Sequence, residues 1–175
     1  MRTVKFGLIG CGLMAREFAS AAARWCHFTG DVPRPEIVGI CSVLPSEMEW
    51  FHKNFPDIKY SVSDYKELLD KEDIDAIYCA VPHNLHEQFY IDIINSGKAL
   101  LGEKPFGIDK AANDKIMEAI NDPTKHVAIC CAPSVRATIG ECFGMAPGTD
   151  AEGKMVAALK KLGFDGVYDM NFTAD

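Results

Sequence analysis

The sequence predicts a doubly wound α/β domain built on a parallel sheet, followed by a short βαβ-like appendage. Three features carry that expectation. Over the first 130 residues, short β-branched or apolar runs alternate with amphipathic stretches. The runs are near-continuously apolar, as strands covered on both faces must be. Between successive runs lies chain that reads as a helical crossover, which in a parallel sheet is right-handed.

The elements follow in order. Thr3 to Ile9 reads as the first strand, and Leu13 to Trp25, Ala-rich and free of proline, as the first helix. A turn-rich stretch, Thr29 to Pro35, leads to a second strand over Glu36 to Val43. Ser46 to Phe55 reads as a helix with Ser46 as N-cap and Glu49 three residues on, a capping box. Ile58 to Val62 is a brief strand, and Ser63 to Asp73 a helix capped by Ser63. Asp75 to Val81 is a strand stopped by Pro82. The next helix carries Leu85, Phe89 and Ile93 at a spacing of four, and Gly97 is its stop signal. Lys98 to Gly102 is a fifth strand, and Asp109 to Asn121 another helix.

The 175 residues suffice for one domain with a sizeable core, or a domain and a short appendage. At 48% hydrophobic and 25% charged the composition is that of a soluble globular chain. A net charge of −7 argues against nucleic-acid or anionic-membrane partners, because no basic field attracts phosphates. The N-terminus has no leader-peptide pattern, and no apolar run approaches the roughly 20 residues that cross a bilayer. The expected location is cytoplasmic. Seven cysteines, at 11, 26, 41, 79, 130, 131 and 142, form no Cys-x-x-Cys and are odd in number. Neither a zinc knuckle nor a disulfide framework is suggested, and no metal role is expected. Most should be reduced, buried, small apolar residues.

Gly10, Gly12 and Ala15 form G-x-G-x-x-A directly after the first strand and at the opening of a helix. Gly10 permits the tight turn, Gly12 lets a pyrophosphate approach the backbone, and Ala15 lets helix and strand pack closely. The free N–H groups and dipole of the helix N-terminus favour negative charge there. This context is that of a Rossmann-type dinucleotide loop, so Cys11, Leu13 and Met14 are candidate cofactor-binding residues with the glycines. An acid at the end of the next strand would hold a ribose 2′-hydroxyl and favour NAD, whereas a nearby arginine would suit NADP. The chain offers Cys41-Ser42-Val43-Leu44 instead. Ser42 is a candidate for a ribose hydroxyl or a phosphate, Arg16 is available in the first helix, and the expected cofactor is NAD or NADP.

Glu103, Lys104 and Pro105 stand just past the fifth strand, at the carboxyl edge of the sheet where ligands bind in such folds. A lysine there can stabilise a developing alkoxide or transfer a proton. Glu103 is expected to pair with Lys104 and hold it, and Pro105 to stiffen the turn.

The stretches GLIGCGLMA, DYKELL, DAIYCAVPHNLHEQFYIDIINSGKALLGEKPF and AANDKIMEAI together resemble the glucose-fructose oxidoreductase/inositol dehydrogenase/MocA-like family over about residues 3–120. The resemblance implies an NAD- or NADP-binding half in which Lys104 lies at the nicotinamide and substrate in a catalytic role, with Glu103 beside it. It places Val81, Pro82, His83 and Asn84 along the cofactor, with His86 opening the next helix. On residue type alone His86 reads as a capping or packing histidine. Gly102 departs from the family pattern, which has a bulkier β-branched residue there. The family continues into a second α/β domain that carries most substrate contacts, including an Asp-x-x-x-His pair, and that domain is expected to be missing here.

The tail reads as a strand at Val127 to Cys131, a short helix at Ser134 to Phe143, a helix at Ala151 to Leu162 ended by Gly163, and a strand around Gly166 to Met170. Met155, Val156, Ala158, Leu159 and Leu162 have helical spacing. The expectation is that the strand at 127–131 extends the main sheet beside the fifth strand. By resemblance, residues about 121–175, and APSVRATIGECFGMAPGTDAEGKMVAALKKLGFD above all, are similar to a stretch inside the iron-only hydrogenase catalytic domain. That resemblance implies that Ala132, Pro133 and Ser134 lie by an active-site cluster pocket. The family's cluster-binding cysteine motif, of the Thr-Ser-Cys-x-Pro-Gly-Trp kind, is not in this chain.

The expected division is therefore a dinucleotide-binding domain over 1–122 and an α/β appendage over 123–175. The function expected of it is an NAD(P)-dependent oxidoreductase passing hydride between nicotinamide and a hydroxyl-bearing carbon of a sugar or polyol, incomplete in this chain. Its partners would be the dinucleotide and a small polar substrate, with self-association possible. A non-catalytic NAD(P)-binding module is the alternative, and a hydrogenase-related redox protein without cluster ligands a third.

Overall fold

Parallel strands in the order β3-β2-β1-β4-β5 form the main sheet, seen in a computed structural model that describes residues 2–124, 128–131 and 138–169. The strands are β1 (Thr3–Ile9), β2 (Arg34–Cys41), β3 (Tyr60–Val62), β4 (Ala76–Cys79) and β5 (Ala99–Gly102). The helices between them are α1 (Leu13–Ala23), α2 (Pro45–Asn54), α3 (Lys66–Leu69), α4 (His86–Asn95) and, after β5, α5 (Lys110–Ile120). The chain divides into two compact units, Met1–Ala119 and Ile120–Asp175.

The first unit is held by the apolar strand interiors that the sequence pattern marks. Leu8, Ile9, Val38, Ile40 and Ile77 are buried, with Phe51 of α2, Leu68 of α3 and Tyr90 and Ile93 of α4 covering them. β1 is central, pairing with β2 on one side and β4 on the other. The strand order reverses between β1 and β4, which makes the carboxyl ends of these two strands the switch point where such sheets take ligands.

Several boundaries differ from expectation for local reasons. α2 begins at Pro45 with Leu44 as N-cap and no side-chain cap, so Ser46 is not the cap. Proline at the first helical position needs no hydrogen-bond partner and presets the backbone angle, which displaces the capping box. β2 starts at Arg34 in spite of Pro35, because β3 pairs only with Gly39 to Cys41 and asks nothing of Pro35 on that side. α3 shrinks to one turn with Tyr65 rather than Ser63 at its start. The carbonyls of Lys71 and Ile74 beyond it take hydrogen bonds from the Lys98 ammonium at 2.5 and 2.9 Å. The buried face of α4 is His86, Tyr90, Ile93 and Ile94, not the expected Leu85 and Phe89 row; Leu85 is exposed and Phe89 stacks on Tyr65. That one-residue rotation turns His86 and Tyr90 toward the end of β5.

Among its described residues the second unit contains β6 (Ala128–Cys131), a 3-10 helix (Ile139–Phe143), α6 (Glu152–Lys161) and β7 (Gly166–Asp169). β6 and β7 pair in parallel in a two-stranded sheet of their own, Ala128 opposite Gly166 and Cys131 opposite Asp169. The βαβ-like reading holds, but the expected addition of this strand beside β5 does not. Through the α6 crossover β7 supplies a register-matched parallel partner over the whole of β6, which pairs one of that strand's two edges. Met155 is buried on α6, whereas Leu162, placed on the same apolar face by sequence, is exposed beside Gly163, whose φ of +106° ends the helix. Val127, Ala132, Pro133, Ser134 and Met170 lie outside the described residues.

Gly102 has a packing reason. A Cβ there would stand 2.7 Å from Tyr90 Cζ and 2.8 Å from its hydroxyl oxygen. The ring of Tyr90 takes the space of the β-branched side chain that the family resemblance leads one to expect. Gly102→Val is expected to destabilise the protein by about 1–3 kcal/mol through overpacking. Urea midpoints of Gly102→Val, Tyr90→Leu and the double variant check it: the double variant should be more stable than the two single losses sum to.

Candidate functional site

Three neighbouring strands end at one edge of the sheet, and the sequence-predicted residues follow them. β1 leads into Gly10 and Gly12, β4 into Val81 and Pro82, and β5 into Glu103 and Lys104. Backbone bonds continue the ladder past the strands: Gly10 N–H donates to Cys41 O at 2.9 Å, Ala80 N–H to Ile9 O at 2.8 Å and Glu103 N–H to Cys79 O at 3.2 Å.

Gly10 has φ +87°, and a Cβ on it would meet Ala80 O at 2.5 Å, so only glycine makes this turn. Gly12 differs. A Cβ on it would meet nothing within 4 Å, so space stands open over its backbone. It is the N-cap of α1, no side chain caps that end, and the first turn carries no acidic residue. The helix's leading N–H groups are thus left for an outside acceptor, the arrangement that suits a phosphate. Leu13 and Met14 are exposed at the same turn, and Cys11 is buried beneath it. Burial, with Cys41 and Glu47 adding to it, pushes the Cys11 thiol up to about 12, so it acts as a packing residue rather than a nucleophile.

Ser42 is buried, and its hydroxyl is engaged. It donates to Glu47 Oε2 at 2.7 Å and accepts from Leu44 N–H at 3.1 Å. Cys11, Gly12, Arg16, Ser46, Glu47 and Trp50 line a cleft of about 190 Å³ beside the glycine turn. A larger cleft of about 250 Å³, between the end of α1 and the start of β2, lies at the opposite edge of the strands. The smaller one is at the chemically relevant edge.

At the β5 end, Lys104 is exposed, and its peptide bond to Pro105 is cis. The expected Glu103–Lys104 pair is not formed. The Glu103 carboxylate instead accepts from the Tyr78 hydroxyl at 2.5 Å, and the Glu103 carbonyl from the Tyr90 hydroxyl at 2.5 Å. Adjacent residues leaving a strand project to opposite sides, so the carboxylate turns to β4 while the ammonium is left free for an outside partner. Tyr78 also lies 3.5 Å from Met14 O, linking this turn to the glycine turn. Burial, then the Glu103 carboxylate, pushes the Tyr78 phenol well above its ordinary range, which keeps it a neutral donor.

His86 is fully buried. Its Nδ1 lies 2.6 Å from Pro105 O and its Nε2 3.1 Å from Val81 O, and its ring stacks on Tyr90 at 4.7 Å. It therefore sits between the Val81-Pro82 segment and the Glu-Lys-Pro turn, its one N–H in either tautomer donating to one of the two carbonyls, while Pro82 and Asn84 are exposed. Sequence reasoning passed over Tyr78, Tyr90, Glu47 and Trp50. The tyrosines read as apolar strand and helix residues, and only Glu47, an acid in the first turn of the helix after β2, carried a local signal.

Among the described residues no group of three or more His, Cys, Asp or Glu side chains is placed to hold a metal ion. Nor is any described helix long and apolar enough to cross a membrane.

Comparison with known proteins divides the chain. A family model described as the oxidoreductase family with NAD-binding Rossmann fold matches residues 4–130. A second, for the C-terminal domain of the iron-only hydrogenase large subunit, matches residues 125–175, so the two overlap over 125–130. Levoglucosan dehydrogenase of Pseudarthrobacter phenanthrenivorans is 25% identical over 175 residues, which is 100% of this chain and 43% of that protein. Iron hydrogenase 1 of Clostridium pasteurianum is 51% identical over 67 residues, 38% of this chain and 12% of that one. The chain thus spans less than half the length of either relative. Among solved structures, apo scyllo-inositol dehydrogenase from Lactobacillus casei superposes with a TM-score of 0.60 at 26% identity, covering 68% of this chain and 33% of that one. Levoglucosan dehydrogenase in complex with NADH and L-sorbose superposes with a TM-score of 0.65 at 25% identity, covering 73% and 34%.

Proposed function

Because the chain belongs to the oxidoreductase family with the NAD-binding Rossmann fold, we propose that it binds a nicotinamide dinucleotide across the β1, β4 and β5 ends and serves hydride transfer at a hydroxyl-bearing carbon of a sugar or polyol. The observation that carries this reading is the open, uncapped α1 N-terminus at Gly12 and the Lys104 ammonium, unpaired among the described residues, at the ends of strands of one sheet edge. The pyrophosphate would sit over Gly10 and Gly12, with Leu13 and Met14 beside it. Val81, Pro82 and Asn84 would flank the dinucleotide on its way to the β5 end. When bound, the nicotinamide supplies the acceptor or donor of the hydride. Lys104 holds the substrate oxygen, releasing or accepting its proton as the carbon is reduced or oxidised. Glu103 acts through position, fixed by Tyr78 and Tyr90, and His86 holds the two turns at a constant separation. On this reading the protein works in the cytoplasm with reduced cysteines.

A second reading, a dinucleotide-binding module without turnover, is favoured by one observation: past residue 130 the chain matches the hydrogenase model rather than the oxidoreductase one. One experiment tests both. Titration with NADH and NADPH, followed by fluorescence, is expected to give micromolar-range binding, and a screen of sugars and polyols with NAD⁺ and NADP⁺ then separates enzyme from module. Failure to bind either dinucleotide would sink both readings. The hydrogenase-related reading requires bound iron after anaerobic preparation.

A further inference from the structure

We infer that Glu47 is the residue that receives the adenosine ribose and makes the site select NAD(H) over NADP(H); the inference rests on the dinucleotide reading above. In sheets of this topology the ribose is met by an acid at the end of the second strand. Here β2 ends at Cys41-Ser42, with no acid in place. Ser42 is buried and its single hydroxyl proton is spent on Glu47 Oε2, at 2.7 Å. Rather than meeting the ribose itself, Ser42 anchors a carboxylate delivered from five residues downstream, in the first turn of α2.

Glu47 and Gly12 line the same cleft. With the pyrophosphate over Gly12, the next moiety along the dinucleotide is the adenosine ribose. The cleft's volume of about 190 Å³ suits one such moiety, being below the ~300–1,000 Å³ of whole-ligand pockets. A carboxylate accepts hydrogen bonds from ribose hydroxyls and repels a 2′-phosphate, which carries up to two negative charges.

Arg16 lines the same cleft with the opposite charge. Its Nε is buried with no hydrogen-bond partner among the described residues. A buried donor left unpaired is costly, so this one awaits an acceptor. An oxygen in the cleft reaches it once the Arg16 side chain shifts, since the Nε is closed off as the side chain stands. The two residues thus compete over what stands at the 2′ position. Glu47 prevails because Ser42 holds it in place; with that carboxylate neutralised, Arg16 remains and favours the phosphate.

The test uses the full chain and fluorescence titration with NADH and NADPH. The wild type is expected to prefer NADH by at least ~10-fold, and Glu47→Gln to shift the ratio toward NADPH by ~10-fold or more. Glu47→Gln/Arg16→Ala should lose that gain. A measurement on the wild type alone stands beside the variants: ADP-ribose should displace NADH, and 2′-phospho-ADP-ribose should do so at least ~10-fold less well. An unchanged ratio in folded Glu47→Gln, or equal displacement by the two competitors, overturns the inference while leaving dinucleotide binding intact. Failure of the wild type to bind either dinucleotide overturns the underlying reading and this inference with it.

Discussion

Gly12→Val should abolish dinucleotide binding while leaving the fold untouched. The two glycines of the turn predict opposite phenotypes. At Gly12 the backbone is extended, with φ −72°, and an added Cβ meets nothing within 4 Å. A Cβ is therefore accommodated there, and valine's methyl groups would stand in the space through which a pyrophosphate reaches the α1 N–H groups. The expected loss of NADH affinity is at least ~100-fold, or about 2.8 kcal/mol. Stability to thermal unfolding should fall by no more than about 1 kcal/mol, the cost of a poorer N-cap at a position where a Cβ meets no clash. At Gly10 the φ of +87° and the Ala80 carbonyl 2.5 Å from a would-be Cβ make Gly10→Ala a stability mutation, with an expected cost above ~2 kcal/mol. Isothermal titration and differential scanning calorimetry on both variants check this. A Gly12→Val protein that binds NADH as the wild type does would show that the turn is only a strand-to-helix connection.

Lys104→Ala is expected to lower kcat of any sugar or polyol oxidation by ~10²–10⁴-fold, the range for a positioned acid–base group. Dinucleotide affinity should change by less than ~3-fold, since Lys104 acts on the substrate oxygen and the pyrophosphate is held two strands away. Its side chain forms no ion pair with Glu103, whose carboxylate belongs to Tyr78. Glu103→Gln, which keeps an acceptor for Tyr78, should therefore cost far less than Lys104→Ala. Steady-state kinetics on the two variants separate the roles. Equal kcat in wild type and Lys104→Ala would reduce Lys104 to a solvated turn residue.

By itself, the sequence determined whatever depends on local periodicity and local backbone freedom. The alternation of apolar strands with helices announced the parallel sheet, because a strand buried on both faces can be written in few ways. G-x-G-x-x-A between a strand and a helix announced its turn, because only glycine takes the positive φ found at Gly10. The βαβ-like pattern of the tail was equally legible. Tertiary structure alone decided which side chains meet across elements. Ser42 looked like a free hydroxyl until α2 brought Glu47 against it, and Glu103 looked like a partner for Lys104 until Tyr78 of the next strand claimed it. Gly102 looked like an anomaly until the rotation of α4 set Tyr90 over it. The partner of β6 was likewise undecided, since one edge pattern pairs with any parallel strand in register. These outcomes are set by helix rotation and inter-element distance. Such distances come from the packing of the whole core, and no short stretch of sequence encodes them.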